Sequence, residues 1–188
     1  MDFIRNFPFF SIILSMFSGI LCSVLPAKAA RAVNTAVITI VGGLSAVLLW
    51  YVTVTGECYT YMMGHFPAPW GNEIRAGVLE AGMALFFCVI MLLSMLGGRK
   101  KLFDEVAIEK HNLYYILVNL LLSSLLALVY TNDLFTAYVF VEINTISACG
   151  LIMIRENGRT IEAAVRYMIM SLMGSGLMLL GIYIIKDL

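Results

Sequence analysis

The sequence has little charge and no excess of either sign. Only 13% of its 188 residues are charged, and twelve basic and twelve acidic residues give a formal net charge of zero. An ordinary soluble domain carries about 25% charged residues, so the chain departs strongly from that class. It also lacks the surplus of basic residues with which proteins bind nucleic acid, and no nucleic-acid partner is expected.

Side chains that bind metals and redox cofactors are also scarce. The four cysteines form no CxxC pair, and three lie in apolar segments, where small apolar packing roles are expected. The two histidines, His65 and His111, lie in predicted loops. The sequence therefore predicts no haem, iron–sulfur or zinc site, no cofactor and no catalytic redox residue within this chain.

Apolar residues, in contrast, make up 61% of the chain. They form six runs, each near the roughly 20 residues that a helix needs to cross a bilayer. Because irregular backbone is not viable in lipid, and because no barrel-like alternation is present, the predicted class is an all-α integral membrane protein. Residues 1–188 are expected to form a single transmembrane domain. The predicted spans are Pro8–Leu25, Val33–Thr55, Gly77–Gly97, Asn112–Tyr130, Leu134–Ile154 and Ala164–Ile185.

The basic residues are divided unequally between the two sides of these spans. Nine lie in the loops after spans 1, 3 and 5 or at the adjoining helix start, and three lie on the opposite side. The positive-inside rule places the nine in the cytoplasm and both termini outside, in the cytoplasmic membrane of the cell. The nine are Lys28, Arg31, Arg99, Lys100, Lys101, Lys110, Arg155, Arg159 and Arg166, and the three are Arg5, Arg75 and Lys186.

The loops allow further expectations. Lys28 and Arg31 follow the first apolar run instead of preceding it, so a retained first helix is favoured over a cleaved signal. The short links 131–133 and 155–159 make spans 4, 5 and 6 consecutive antiparallel neighbours. The long outer loop Gly56–Ala76 is too polar and proline-broken to span, and Asp104–Lys110 is expected to form a short surface helix.

Glu142 is the first candidate functional residue. It lies about 12 Å of helix rise from the start of span 5, near the middle of the bilayer, where an ionisable group costs about 2.5–3.5 kcal/mol. Its face also carries Tyr138, Thr145 and Cys149, a mildly polar set that could line a wet path. Proton or ion movement is one interpretation, and a neutral structural carboxylate bonded between helices is the other.

Three other ionisable residues are candidates for an ion path. Glu80 lies near the outer end of span 3, as an entry or exit carboxylate or as an interface residue. Glu162 and Arg166 are four residues apart at the inner start of span 6 and should form a local ion pair. Arg166 is also a candidate cation for a proton path. Ser171 and Ser175 are interpreted first as a small-residue packing stripe, and otherwise as water ligands near Glu142.

Several segments resemble a known family. They are Asn132–Phe135, Tyr138–Glu142 and Glu162–Tyr167, followed by Ser171, Ser175 and Gly181. In order and spacing they resemble the antiporter-like subunits shared by Mrp-type sodium/proton antiporters, respiratory complex I and membrane-bound hydrogenases. The outer-loop segments Pro67–Gly71 and Glu73–Arg75 are most similar to the Mrp D-type subunit. The resemblance extends over Phe66–Gly181.

The resemblance implies a membrane subunit of a multi-subunit complex that moves protons, sodium ions or both. A hydrogenase or a ferredoxin/NADH oxidoreductase would be the energy source in some such complexes. Glu142 would be the helix 5 glutamate, which in the family pairs with a lysine of helix 7. Lys186 does not match that lysine, and Gly77 stands where many relatives have an aspartate.

Three hypotheses therefore compete. The chain is one piece of a split subunit, with a partner subunit supplying the intramembrane lysine. Alternatively, it is a reduced subunit that packs in such a complex without conducting, or an unrelated membrane anchor or scaffold. The lipid bilayer is a partner in each case.

Overall fold

The chain forms six long helices and one short hairpin in a computed structural model that describes residues 4, 6–56, 58–62, 73–98 and 104–187. All six helices are long and apolar enough to cross a membrane, which confirms the all-α class and the predicted number of membrane-length helices among the described residues. The helices are α1 (Phe7–Val24), α2 (Ala27–Thr55), α3 (Val78–Gly97), α4 (His111–Tyr130), α5 (Leu134–Met153) and α6 (Gly158–Asp187). The strands are β1 (Tyr59–Met62) and β2 (Glu73–Ala76).

Two helices begin earlier than their apolar runs predict. Helix α2 starts at Ala27 instead of Val33, directly after Pro26, whose extended backbone (φ −63°, ψ 149°) separates it from α1. Helix α6 starts at Gly158 instead of Ala164, where the N–H groups of Thr160 and Ile161 donate to the carbonyl of Asn157. Apolarity predicts only the part of a helix that lies in lipid, whereas its hydrogen bonds continue into the polar flanks.

Helix α4 is the centre of the bundle. It packs against α1, α2, α3 and α5, while α6 packs against α5. The main apolar core lies among α1–α4 and includes Val41, Leu48, Leu122 and Leu126, all at most 2% exposed. Helices α5 and α6 therefore form an outer pair attached to this four-helix group through α4.

A β-hairpin covers one end of the bundle. Strand β1 pairs antiparallel with β2, with Tyr59 opposite Ala76 and Met62 opposite Glu73. Ile74 bridges to Thr131, and the N–H of Asn132 donates to the carbonyl of Glu73 at 2.8 Å. The sequence did not predict this hairpin, which docks on the turn between α4 and α5. We call this end the hairpin side; residues 63–72 of the loop, including Pro67 and Trp70, lie outside the described residues.

The opposite end, here called the basic side, carries the links after α1, α3 and α5. The short surface helix expected over Asp104–Lys110 forms only in part. Residues Asp104 and Glu105 are helical, and Ile108–Lys110 form a 3₁₀ turn that leads into α4. The helix is interrupted because Val106 turns inward, where it is 7% exposed and its carbonyl oxygen lies 3.2 Å from the His111 ring Nε2.

Candidate functional site

The start of α5 is fixed by an aspartate cap, and this positions Glu142. The Asp133 carboxylate accepts hydrogen bonds from the Thr136 N–H at 2.8 Å and from its hydroxyl at 2.6 Å. Such a cap satisfies backbone donors that a helix start leaves unpaired. With Leu134 as the first residue of the helix, Glu142 lies about 12 Å along the axis, near the middle of the 20-residue α5.

The Glu142 carboxylate is incompletely satisfied. The residue is half-buried, its Oε1 atom is buried, and this atom has no hydrogen-bond partner among the described residues. Nor does Glu142 form an ion pair within that part of the chain. A buried polar group without a partner costs about 1–3 kcal/mol, and more if it is charged. Most buried polar atoms in proteins are paired, so this oxygen is a candidate for a proton, a cation or a group from outside the fold.

The face of α5 that carries Glu142 turns toward α6. Thr145 and Cys149 share that face; both are buried, and the Cys149 thiol lies 3.8 Å from the Ala164 carbonyl oxygen of α6. The two helices are antiparallel, so Glu142 and Ser171 each lie about two turns beyond this contact. Glu142 and Ser171 are therefore at a similar depth, which the alternative interpretation of Ser171 as a water ligand near Glu142 requires.

A second polar edge of α5 faces α4 instead. Asn144 accepts a hydrogen bond from the Ser124 hydroxyl at 3.4 Å, and the Ser147 hydroxyl donates to the Ile143 carbonyl at 2.7 Å. Unlike the Glu142 oxygen, these groups have partners within the chain. The α4–α5 contact is thus a satisfied interface, and the Glu142 face is a separate one.

Glu80 has local partners at the hairpin side. Its Oε2 atom accepts a hydrogen bond from the Gly77 N–H at 3.0 Å, and its Oε1 atom lies 3.9 Å from Nε of Arg75. The carboxylate therefore stabilises the start of α3 and ties it to β2. This geometry supports a structural role for Glu80, whichever further role it has.

Two buried hydroxyls near Glu80 were not singled out from the sequence. Tyr130 and Ser45 face each other beneath it, both at 1% exposure, without a hydrogen bond of ordinary geometry. Together with Glu80 they place three polar side chains at the hairpin-side end of the α1–α4 core. Neither residue belongs to a motif, so only the pairing of α2 with α4 could have revealed them.

Glu162 and Arg166 form the predicted ion pair at the basic side. Arg166 Nη2 lies 2.5 Å from Glu162 Oε1, and the two side chains are exposed, at 76% for Arg166 and 63% for Glu162. Within the described residues, Arg166 forms no ion pair with Glu142 or Glu80. Those residues also contain no cluster of three or more His, Cys, Asp and Glu side chains that could hold a metal.

Within the described residues, six membrane-length helices and a carboxylate in α5 with an unpaired oxygen define a multi-pass membrane protein with a candidate proton or ion site. The family it belongs to follows from comparison with known proteins. Residues 131–187, which contain α5 and α6, match the family described as NADH:quinone oxidoreductase/Mrp antiporter, TM. Glu142, Glu162 and Arg166 lie in the matched segment, and Glu80 lies outside it.

Relatives of known sequence support this family over more of the chain. NADH-quinone oxidoreductase subunit N of Desulforudis audaxviator is 32% identical over 137 residues, which cover 73% of this chain and 27% of that protein. The D-type subunit of the Na(+)/H(+) antiporter of Bacillus subtilis is 25% identical over 180 residues, 95% of this chain and 36% of that protein. The chain thus belongs to the antiporter-like membrane subunits of this family, and it spans about a third of the length of these relatives.

Solved structures share the fold. A chain of the Mrp complex from Dietzia sp. DQ12-45-1b superposes with a TM-score of 0.86 at 19% identity, over 100% of this chain and 35% of that one. A chain of an archaeal membrane-bound sulfane sulfur reductase complex gives a TM-score of 0.80 at 23% identity, over 96% and 36% of the two chains. At these identities the likeness concerns the arrangement of the six helices.

Proposed function

We propose that the chain is a membrane subunit of a multi-subunit complex that translocates protons, sodium ions or both, and that Glu142 is its ion-path carboxylate. The observation that carries this proposal is the buried Oε1 atom near the middle of α5, which has no hydrogen-bond partner within the described part of the chain. It lies in the segment that matches the antiporter family. The cytoplasmic membrane is the proposed location, with the basic side facing the cytoplasm.

Glu142 would work together with a cation that the described residues do not supply. Apart from Arg166, near the start of α6, the basic side chains of the described residues lie in links, in β2 or near helix ends. An intramembrane lysine on a neighbouring subunit is the proposed partner, as the family resemblance implies. When such a buried pair separates, both groups lose their compensation, so proton binding becomes a property of the pair. Conformational change could then drive proton uptake and release at Glu142.

The other candidates would act at the two ends of the path. At the basic side, the exposed Glu162–Arg166 pair would orient the entrance of α6 and present charge to incoming ions. At the hairpin side, Glu80 would be the outer carboxylate, adjacent to the buried hydroxyls of Tyr130 and Ser45. The contacts of Glu80 with Gly77 and Arg75 support a role as a helix cap. Proton exchange would be an additional role of the same carboxylate.

The direct test is Glu142→Gln in the assembled complex. Glutamine keeps the size and hydrogen-bonding capacity of the side chain but cannot exchange a proton at physiological pH. Ion-coupled transport in vesicles, followed with a pH-sensitive dye and with sodium uptake, should fall to background while the complex still assembles. The matched control is Glu109→Gln, which removes an exposed carboxylate from the 3₁₀ turn at the basic side, before α4 begins. Unchanged transport in the Glu142 variant would rule out the ion-path role.

A non-conducting structural or assembly subunit is the second candidate function. It is favoured by the local partners of Glu80 and by the Glu162–Arg166 pair, each sufficient for a purely structural role. In that case Glu142→Gln would impair assembly, or leave both assembly and transport unaltered. The subunits that copurify with the chain identify the energy source: a hydrogenase or ferredoxin-oxidising module indicates redox coupling, and antiporter subunits alone indicate secondary transport.

A further inference from the structure

A cavity of about 640 Å³ lies at the basic side, away from the candidate ion site. It is formed by the start of α2, the end of α3 and the start of α4, and its lining includes Lys28, Arg31, Met95 and Tyr114. Its volume falls within the range of about 300–1,000 Å³ that ligand sites occupy. None of the four residues proposed for ion movement lines it, so the cavity is separate from the proposed ion path residues.

The mouth of the cavity carries two uncompensated positive charges. Lys28 is exposed and Arg31 half-buried, and neither forms an ion pair within the described part of the chain. Two other basic residues at this end have carboxylate partners: Lys110 pairs with Glu156, and Arg155 lies 3.2 Å from Glu105. Arg159 has no ion pair within the described residues either, but it does not line the cavity. Two cations that have no carboxylate partner among the described residues, at the edge of a membrane-spanning bundle, are complementary to an anionic group at the bilayer surface.

Below the cations the cavity becomes an apolar groove. Ala32 and Ala36 of α2 are small and exposed, and they lie opposite Met95 and Leu96 of α3. The hydroxyl of Thr39 in the same wall donates to the backbone carbonyl of Thr35 at 2.8 Å, so its hydrogen-bond donor is already used. The groove thus offers surface to a hydrocarbon chain.

The groove also has the length of one membrane leaflet. From Lys28 to Ile40, the two ends of its α2 wall, the helix rises about 18 Å. Half of a bilayer is about 20–22 Å when the headgroup region that holds the phosphate is included. A phosphate held by Lys28 and Arg31 would therefore place an acyl chain along α2 for the depth of its own leaflet.

We propose that this cavity is a binding site for one anionic phospholipid, with its phosphate between Lys28 and Arg31 and an acyl chain in the α2–α3 groove. A free phosphate ion would use the two cations and leave the apolar groove empty, whereas a phospholipid matches both parts. The site would hold lipid against the subunit at the basic side, independently of ion movement at Glu142.

The test measures lipid binding to the complete complex, purified through this chain and reconstituted in phosphatidylcholine nanodiscs, by native mass spectrometry with added phosphatidylglycerol. Lys28→Gln combined with Arg31→Gln should weaken phosphatidylglycerol binding about 25-fold, at about fivefold per charge. Retention of phosphatidylcholine should not change. The matched control is Arg159→Gln, which removes an exposed basic residue of the same side that does not line the cavity.

A second variant distinguishes a lipid site that includes the groove from non-specific electrostatic attraction of lipid to the two cations. Ala36→Phe fills the groove and keeps both cations, so it should lower phosphatidylglycerol binding even if the double variant does not fold. The proposal is overturned if the double variant binds phosphatidylglycerol as the wild type does, or if Arg159→Gln loses as much binding. It is also overturned if millimolar inorganic phosphate displaces the lipid, or if a partner subunit cross-links within the cavity.

Discussion

Replacing Glu142 with methionine should change stability in opposite directions in the isolated chain and in the assembled complex. In the isolated chain, the buried Oε1 atom has no hydrogen-bond partner among the described residues. Methionine has a similar length and no carboxylate, so the variant should remove about 1–3 kcal/mol of uncompensated desolvation. This agrees with the cost of about 2.5–3.5 kcal/mol for an ionisable group at the bilayer centre. The free energy of unfolding should therefore rise by about 1–3 kcal/mol.

In the complex the same substitution should be harmful. If a lysine of a neighbouring subunit faces Glu142, the methionine variant leaves that cation buried and unpaired. Breaking one side of a buried pair costs about 3–5 kcal/mol. The affinity of the chain for its partner should fall at least about a hundredfold. A reversal of sign between the two states would distinguish an interface ion pair from a carboxylate that is merely tolerated.

The two measurements use different preparations of the same variant. Reversible denaturant unfolding in micelles, followed by far-UV circular dichroism, gives the stability of the isolated chain, and quantified copurification gives its assembly. Glu109→Met, at an exposed position, is the control for the substitution itself. If Glu142→Met destabilises the isolated chain, its Oε1 atom has a stabilising partner within the chain and the reasoning fails. If it stabilises both preparations, no cation faces Glu142.

Three further outcomes test the fold by denaturant unfolding of the isolated chain. Asp133→Ala removes the α5 cap, with its hydrogen bonds of 2.8 and 2.6 Å, and should cost about 0.5–2 kcal/mol; a neutral result would show that the cap is dispensable. Gly150→Leu should cost about 1–3 kcal/mol, because even a Cβ there would lie 3.0 Å from Leu117. Gly43→Leu, where a Cβ meets nothing within 4 Å, should instead be neutral or gain up to about 1 kcal/mol. Equal losses at the two glycines would contradict the α4–α5 packing.

The sequence predicted the features that depend on neighbouring residues along the chain, namely the helices and the ion pair within α6. A helix is required wherever an apolar run crosses lipid, because the backbone must satisfy its own hydrogen bonds there. The Glu162–Arg166 pair followed from its spacing on one helix, and its geometry is confirmed. The β-hairpin was missed because its strands, Tyr59–Met62 and Glu73–Ala76, are held by each other and by the turn at Asn132. Apart from the alternating tyrosines of β1, neither strand has a sequence pattern that indicates this pairing.

The sequence predicted how deep Glu142 lies in the membrane, but not which groups contact its carboxylate. Counting residues places Glu142 near the middle of α5. Whether its oxygen finds a hydrogen bond depends on the packing of α5 against α4 and α6, which composition does not reveal. The same limit applies to Tyr130 and Ser45, two hydroxyls that become a buried polar cluster with Glu80 only when α2 and α4 meet. Whether a buried polar side chain finds a hydrogen-bond partner therefore depends on tertiary packing.

The position of Glu142 in the bundle decides how its charge can be controlled. The main apolar core lies among α1–α4, whereas Glu142 lies on the outer α5–α6 pair, where only 6% of the α6 span is buried. A carboxylate inside the four-helix core would have fixed neighbours and a fixed proton affinity. On the outer pair, its Oε1 atom has no hydrogen-bond partner among the described residues, while a partner that presents a cation changes the free energy of its charged form by several kcal/mol. Under the proposed function, coupling therefore resides at the interface that covers α5 and α6, and movement of that partner sets the proton occupancy of Glu142.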